Sequence, residues 1–148
     1  MQNNLINAHL ISYGVKKQFI ELEFTSANYN EIMFFLDCKI ICDNTNVTKL
    51  VESLKDGCID TYDIGYFIFV NLKYIFDCYF DENENFVIKF ENNIQIIFDV
   101  NSEEDSDLSI TFRKRTTDEN YIAIELLSEG EYDVSEITGN IVNGNVSD

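Results

Sequence analysis

Several residue types are absent or scarce in this sequence, and each gap removes a class of structure or function. There is no proline and no tryptophan, and His9 is the only histidine. Without proline, turns must be built from Asn, Asp, Gly and Ser. With one imidazole, a nucleophilic triad would have to assemble around His9, with Ser12 or a cysteine, and no GxSxG motif is present. We therefore do not predict an enzyme.

Basic residues are also scarce. Ten Lys and Arg oppose 27 Asp and Glu, which gives a net charge of −17 and a pI near 4.1. Direct binding to nucleic acid or anionic lipid is not predicted, because phosphate neutralisation requires clustered Lys and Arg. Arg113-Lys114-Arg115 is the only basic cluster. The acidity either serves solubility, for which a few net charges suffice, or attracts a cationic protein.

Long apolar runs are missing as well. The richest run, 65–70, is far shorter than the roughly 18 residues of a membrane span, and the N-terminus lacks the features of a secretory signal. These observations predict a cytoplasmic protein that does not bind membranes. The four cysteines contain no CxxC pair, so we expect buried reduced thiols and no zinc or other cofactor: Cys38, Cys42, Cys58 and Cys78.

The abundant apolar types, Ile, Phe, Tyr and Val, favour strands. Gln18–Phe24 alternates apolar and acidic residues, as a half-buried strand does. Further strands are predicted at Leu5–Ser12, with a turn at Gly14, at Glu31–Cys42 as one or two strands, and at Tyr66–Val70. From Lys73 onward, polar stretches that include Asp81–Asn85, Glu91–Asn93 and Asn101–Asp107 separate the strands of a hairpin meander.

One helix is predicted at about 47–55, where Val47, Leu50, Val51 and Leu54 form an apolar stripe. Thr45 or Asn46 would serve as its N-cap, and Gly57 would end it. The expected fold is mainly β (α+β), an antiparallel meander sheet or partly open barrel of about seven to nine strands with that one short helix. It fills a single domain over 1–128, and 129–148 forms an acidic, loosely packed or disordered tail, with a short strand at Ile137 or Ile141 as an option.

Acidic residues are concentrated in the predicted loops. In a meander, alternate loops share one end of the sheet, so the loops at 81–85 and 101–107 are predicted to lie together. Tyr79 and Tyr121 border acidic loops and could anchor a partner. A calcium loop starting at Asp99 is not predicted, because Glu104 and Ile110 stand where such a loop has Gly and Glu. The predicted partner-binding residues are Asp81, Glu82, Glu84, Glu103, Glu104, Asp105, Asp107, Tyr79 and Tyr121.

In size, in acidity and in loops such as Glu103-Glu104-Asp105-Ser106-Asp107, the chain resembles small acidic immunity proteins of bacterial polymorphic-toxin and contact-dependent inhibition systems. The resemblance covers composition and size and includes no diagnostic motif. It implies a cytoplasmic protein that binds and neutralises a cognate basic toxin, such as a nuclease. Two alternatives stay open: a nucleic-acid mimic of phage or mobile-element origin, and a small-ligand binder or enzyme with a pocket that contains His9.

Overall fold

The computed structural model describes residues 2–16, 19–53, 65–101, 106–114, 121–126 and 132–137. It confirms the predicted mainly β, antiparallel class. None of the described helices is long and apolar enough to cross a membrane. The elements in chain order are α1 Gln2–Leu5, β1 His9–Lys16, β2 Phe19–Thr25, β3 Glu31–Asp37, β4 Lys39–Cys42, α2 Thr45–Ser53, α3 Gly65–Ile68, β5 Ile75–Phe80, β6 Phe86–Phe90, β7 Gln95–Asp99, β8 Asp107–Arg113, β9 Tyr121–Leu126 and β10 Tyr132–Ile137.

The strands form two open sheets. The larger has six strands in the order β1-β2-β3-β8-β9-β10, and the smaller has four in the order β4-β7-β6-β5. The chain leaves the larger sheet after β3, builds the smaller sheet, and returns with β8 beside β3. Within the smaller sheet, β5, β6 and β7 are consecutive neighbours, and β4 lies beside β7 instead of beside β5. This is a Greek-key order. The predicted meander of neighbouring strands holds for β5 to β7 and for β8 to β10.

One apolar core lies between the two sheets. The ring of Phe24 in the larger sheet stacks on Phe90 of the smaller sheet, with centroids 6.4 Å apart. Phe34 lies 5.0 Å from Phe24 and 6.2 Å from Phe98, so it also joins the two sheets. All four rings are at most 1% exposed. Aromatic pairs at these separations add to the burial free energy, and they fix the two sheets against each other.

Two of the predicted strands are wrong. Leu5–Ser12 contains the end of α1, and β1 begins only at His9 and runs through Gly14, where a turn was expected. Tyr66–Val70 contains most of α3 instead of a strand. Both segments are apolar without a clear period, and such short runs do not distinguish a strand from a buried helix. The Glu31–Cys42 run was predicted to form one strand or two, and it forms two.

Helix α2 confirms the predicted helix, with its start shifted by two residues. The predicted N-caps Thr45 and Asn46 are wrong, because the cap is Asn44. Its Oδ1 accepts hydrogen bonds from the backbone N–H groups of the second and third helical residues, both at 3.1 Å. Two members of the predicted apolar stripe are buried, Val47 and Val51. Gly57 lies outside the described residues.

The predicted tail contains a strand. Strand β10 pairs with β9 along its whole length, and so adds an edge to the larger sheet. The sequence predicted at most a short strand in this region because few large apolar residues follow Ser128. The rest of 127–148 lies outside the described residues.

Candidate functional site

The loop between β5 and β6 is an acidic turn that its first residue holds in place. The Asp81 carboxylate oxygen Oδ1 accepts hydrogen bonds from the backbone N–H groups of Asn83, at 2.8 Å, and Asn85, at 2.9 Å. Glu84 donates its N–H to the Asp81 carbonyl at 2.9 Å and adopts a φ of 62°. A short acidic side chain that bonds its own following backbone is a common turn former. The result is a fixed loop that leaves Glu82 and Glu84 exposed.

The start of the β7–β8 connection is bonded to this loop. The Asn101 side-chain Nδ2 donates to the Asn83 carbonyl at 3.0 Å and to Asn85 Oδ1 at 3.1 Å. Asn101 is itself oriented by Asp99, whose Oδ1 accepts the Asn101 N–H at 3.2 Å. The predicted approach of the 81–85 and 101–107 loops is therefore confirmed at Asn101. Of the predicted site residues in that connection, Glu103, Glu104 and Asp105 lie outside the described residues.

Strand pairing brings further carboxylates to the same place. Asp107 at the start of β8 lies opposite Asp37 at the end of β3, and Asp99 at the end of β7 lies opposite Lys39 at the start of β4. Only Cys38 separates β3 from β4, so the ends of all four strands are neighbours. We call this region the acidic end and define it by Asp37, Asp81, Glu82, Glu84, Asp99 and Asp107. Asp37 and Asp99 were not predicted, because their approach depends on pairing between strands distant in sequence.

Of the two predicted tyrosine anchors, Tyr79 borders the acidic end and Tyr121 lies away from it. Tyr79 is 36% exposed on β5, and its hydroxyl donates to Gln95 Oε1 on β7 at 3.3 Å. It is oriented along the smaller sheet, two residues before Asp81. Tyr121 starts β9 opposite Arg113, at the end of β8 farthest from Asp107. The antiparallel β8–β9 register thus separates Tyr121 from the acidic end, and the acidic stretch that precedes Tyr121 lies outside the described residues.

A second group of carboxylates lies on the outward face of the larger sheet. Glu21 lies opposite Phe35, and Glu23 lies opposite Met33. Phe35 is 36% exposed, and both glutamates are partly exposed. The alternation in the sequence indicated that these acids point away from the core. They provide a useful reference because they have the same charge as the acidic end in a different setting.

The buried thiols are poorly suited to chemistry. Cys42 and Cys78 are free and buried, as predicted, whereas Cys38 is half-buried, and Cys58 lies outside the described residues. Burial raises the pKa of both buried thiols, to about 12 for Cys78, where the Asp77 carboxylate also contributes. Thiols that remain protonated are weak nucleophiles. Among the described residues, no group of three or more His, Cys, Asp or Glu side chains is placed to hold a metal ion.

The acidic end can attract cations and accept hydrogen bonds from Lys and Arg side chains. Its carboxylates come from three strand ends and one loop, and the fourth strand end contributes Lys39. The loop is held by the hydrogen bonds that Asp81 accepts and that Asn101 donates. Comparisons with protein-family models, with curated proteins and with solved structures find no match to this chain. Its function is therefore inferred from charge and geometry.

Proposed function

We propose that the protein is an immunity protein, which binds and neutralises a basic toxin through the acidic end. The observation that supports this proposal is that six carboxylates lie at one end of the fold, around a hydrogen-bonded loop, at residues Asp37, Asp81, Glu82, Glu84, Asp99 and Asp107. A surface with excess negative charge, here six carboxylates beside Lys39, raises the rate at which an oppositely charged protein is captured. A loop that is already ordered loses little conformational entropy on binding.

The Asp37–Asp107 pair gives the acidic end a further reason to bind cations. Like charges directly opposite each other in a sheet destabilise the pair, and these two residues are opposite each other in the β3–β8 register. A Lys or Arg side chain from a partner placed between them would replace repulsion by attraction. Arg suits this position because its planar guanidinium can bind two carboxylate oxygens at once. The partner surface is therefore expected to be rich in Arg and Lys.

The strained backbone of the exposed residue Glu84 also supports a role of the acidic end in binding. A residue other than Gly with φ of 62° is in the left-handed region, where Asn or Gly would cost less. The chain has Glu there, which places a carboxylate at the tip of the loop at the expense of local stability. Strain of this kind often lies at binding sites.

The proposal is tested by two double variants that remove the same charge from different places. Glu82→Gln with Glu84→Gln neutralises the tip of the acidic end. Glu21→Gln with Glu23→Gln neutralises the outward face of the larger sheet and is the matched control. The partner is first isolated from lysate of the source organism by elution of the immobilised protein with salt. Association rates and rescue of toxin-arrested growth are then measured for each variant.

We expect the acidic-end variant to associate about tenfold more slowly at low salt and to rescue growth less well, while the control changes little. Equal effects of the two variants would mean that only the total charge matters, and would contradict the assignment of the site. Capture of many unrelated nucleic-acid-binding proteins, each displaced by DNA, would favour a nucleic-acid mimic over an immunity protein. A captured basic protein that is not toxic would contradict the immunity proposal while leaving the binding site intact.

A further inference from the structure

A cleft of about 430 Å³ lies at the opposite end of the molecule from the acidic end. It opens between the α1–β1 segment, the β2–β3 turn and the residue before β5, and its lining includes Asn3, Asn4, Asn7, His9, Asn28 and Tyr74. Strand β3 runs from this turn to Asp37, and β5 runs from this cleft to the Asp81 loop, so the two sites are separated by the length of a strand. The volume is in the range of small-molecule sites.

His9 carries an unsatisfied polar atom in this cleft. Its Nδ1 is buried and has no hydrogen-bond partner among the described residues. Its ring packs edge-on against Tyr74, with centroids 5.1 Å apart and an interplanar angle of 62°. A buried nitrogen without a partner costs folding free energy, because it gives up its hydrogen bond to water. Nδ1 is closed to water in this structure, so a bound molecule would recover that free energy by hydrogen-bonding to Nδ1 after the imidazole turns toward the cleft.

In the part of the chain that the structure describes, the lining of the cleft carries no charged side chain, although the chain has 27 acidic residues. Four asparagines line the cleft together with Thr25, Ser26 and the imidazole of His9. Each asparagine amide both donates and accepts hydrogen bonds. An ionic ligand would give up its hydration here without an opposite charge in return. The chemistry of the lining therefore suits an uncharged ligand that has both donors and acceptors, and the half-exposed ring of Tyr74 offers a surface to pack on.

The walls of the cleft are fixed by backbone hydrogen bonds. On one side the Asn7 N–H donates to the Ile75 carbonyl at 2.9 Å, and Asn7 itself adopts a φ of 67°. On the other side the turn is closed by the Ser26 N–H, which donates to the Tyr29 carbonyl at 2.9 Å, and by the Tyr29 N–H, which donates to Ser26 Oγ at 3.0 Å. A cleft built in this way is formed before any ligand arrives, which lowers the cost of binding.

We propose that this cleft is a binding site for a small uncharged ligand with both hydrogen-bond donors and acceptors, which bonds to His9 Nδ1 once the imidazole has turned toward the cleft. A nucleobase and an amide-bearing sugar share this chemistry. The site is independent of the acidic end, so its occupancy does not depend on the proposed toxin. The residues that contact the ligand come from three segments distant in sequence: 3–9, 25–28 and 74.

The experiment is an NMR titration of the full chain, labelled with ¹⁵N, with adenosine, N-acetylglucosamine and AMP as probes. The readouts are the imidazole nitrogens of His9 and the side-chain amides of the cleft. We expect saturable shifts at His9 with one of the two uncharged probes, and the responding probe distinguishes a base from a sugar. AMP, which adds a phosphate to adenosine, is expected to bind more weakly than adenosine. Saturable shifts with neither uncharged probe, or AMP as the tighter nucleotide, would overturn the proposal.

Two variants test the role of His9. His9→Phe keeps a ring against Tyr74 but removes Nδ1, and we expect it to lower the affinity for the responding probe about three- to tenfold, the value of one hydrogen bond. Asn28→Ala, in the turn, is a second variant for the case in which His9→Phe does not fold. Asn83→Ala at the acidic end is the control and is expected to bind like the parent. A parent-like affinity in both cleft variants would place the ligand elsewhere.

Discussion

The two ends of the molecule are built on the same strands but differ in charge. The acidic end carries six carboxylates at strand ends and in one loop, whereas the described lining of the His9 cleft has no charged side chain. Strands β3 and β5 each run from one end to the other. Carboxylates such as Glu31 and Glu91 are present near the cleft but do not line it, so the difference lies in which side chains face each site. One end is suited to attract a cationic surface and the other to enclose an uncharged molecule.

If the two ends are held together by one shared core, damage to that core should affect both of them. The largest expected loss of stability is therefore a test of this shared core. Phe34 lies midway along β3, is fully buried, and contacts aromatic rings of both sheets. Phe34→Ala leaves a cavity in the shared core and is expected to destabilise the protein by about 3–5 kcal/mol. The measurement is chemical denaturation followed by circular dichroism. The acidic end and the cleft are expected to lose their structure in the same transition.

The next residue in the chain supplies the control. Phe35 faces outward on the same strand and is 36% exposed, so Phe35→Ala is expected to cost less than about 1.5 kcal/mol, since only part of its surface is buried. Similar losses for the two variants would contradict the assignment of inner and outer faces. Separate transitions for probes at the two ends would show that the ends do not share one core.

The parts of the fold that follow a clear local pattern could be predicted. The alternation in Gln18–Phe24 and the polar turns at Asp81–Asn85 and Glu91–Asn93 each correspond to the observed strand or turn. The helix at α2 was visible as an apolar stripe. Its true cap was missed because Asn44, Thr45 and Asn46 are all good capping residues, and only the geometry of the first turn decides among them.

The parts that depend on distant residues could not be predicted. The β3–β8 pairing joins strands on either side of the whole smaller sheet, and it is this pairing that places Asp37 beside Asp107. Asn7 suits the positive φ that it adopts beside the His9 cleft, but the approach of Tyr74 to His9 joins residues distant in sequence and leaves no local pattern. For the same reason the sequence did not show that the β8–β9 register puts Tyr121 at the end of β8 away from the acidic end.

A smaller effect on the free energy of unfolding is expected at high pH from Cys78, which lies on β5 between the two ends. Burial, and then the Asp77 carboxylate, raise the pKa of this thiol from 9.0 to about 12 in the folded protein. Between those values the unfolded chain loses the proton and the folded chain keeps it, so the unfolded state binds fewer protons and stability falls as the pH rises. The loss contributed by this thiol is at most about 1.4 kcal/mol per pH unit and is absent below pH 9.

This dependence is measured by denaturation between pH 8 and pH 11 for the parent and for two variants. Cys78→Ala removes the thiol and is expected to show a shallower alkaline decline than the parent. Asp77→Asn keeps the oxygen that accepts the Cys78 N–H, at 2.9 Å in the parent, but removes the charge, so its slope is expected to lie between the other two. Identical slopes for parent and Cys78→Ala would rule out a raised thiol pKa as a cause of the decline.

The smallest effect is expected at Asn101, which links the two connections of the acidic end. Asn101→Ala removes hydrogen bonds of 3.0 and 3.1 Å to Asn83 and Asn85, and we expect a cost of about 1 kcal/mol. Asn83→Ala is the matched control, because the described bonds of Asn83 use its backbone. Hydrogen exchange at the N–H groups of the 81–85 loop is expected to accelerate in Asn101→Ala, while the N–H groups around the cleft stay protected. Faster exchange at both ends would show that Asn101 stabilises the whole fold, and would weaken the distinction between the two ends. Unchanged exchange in the 81–85 loop would mean that Asp81 alone holds that loop.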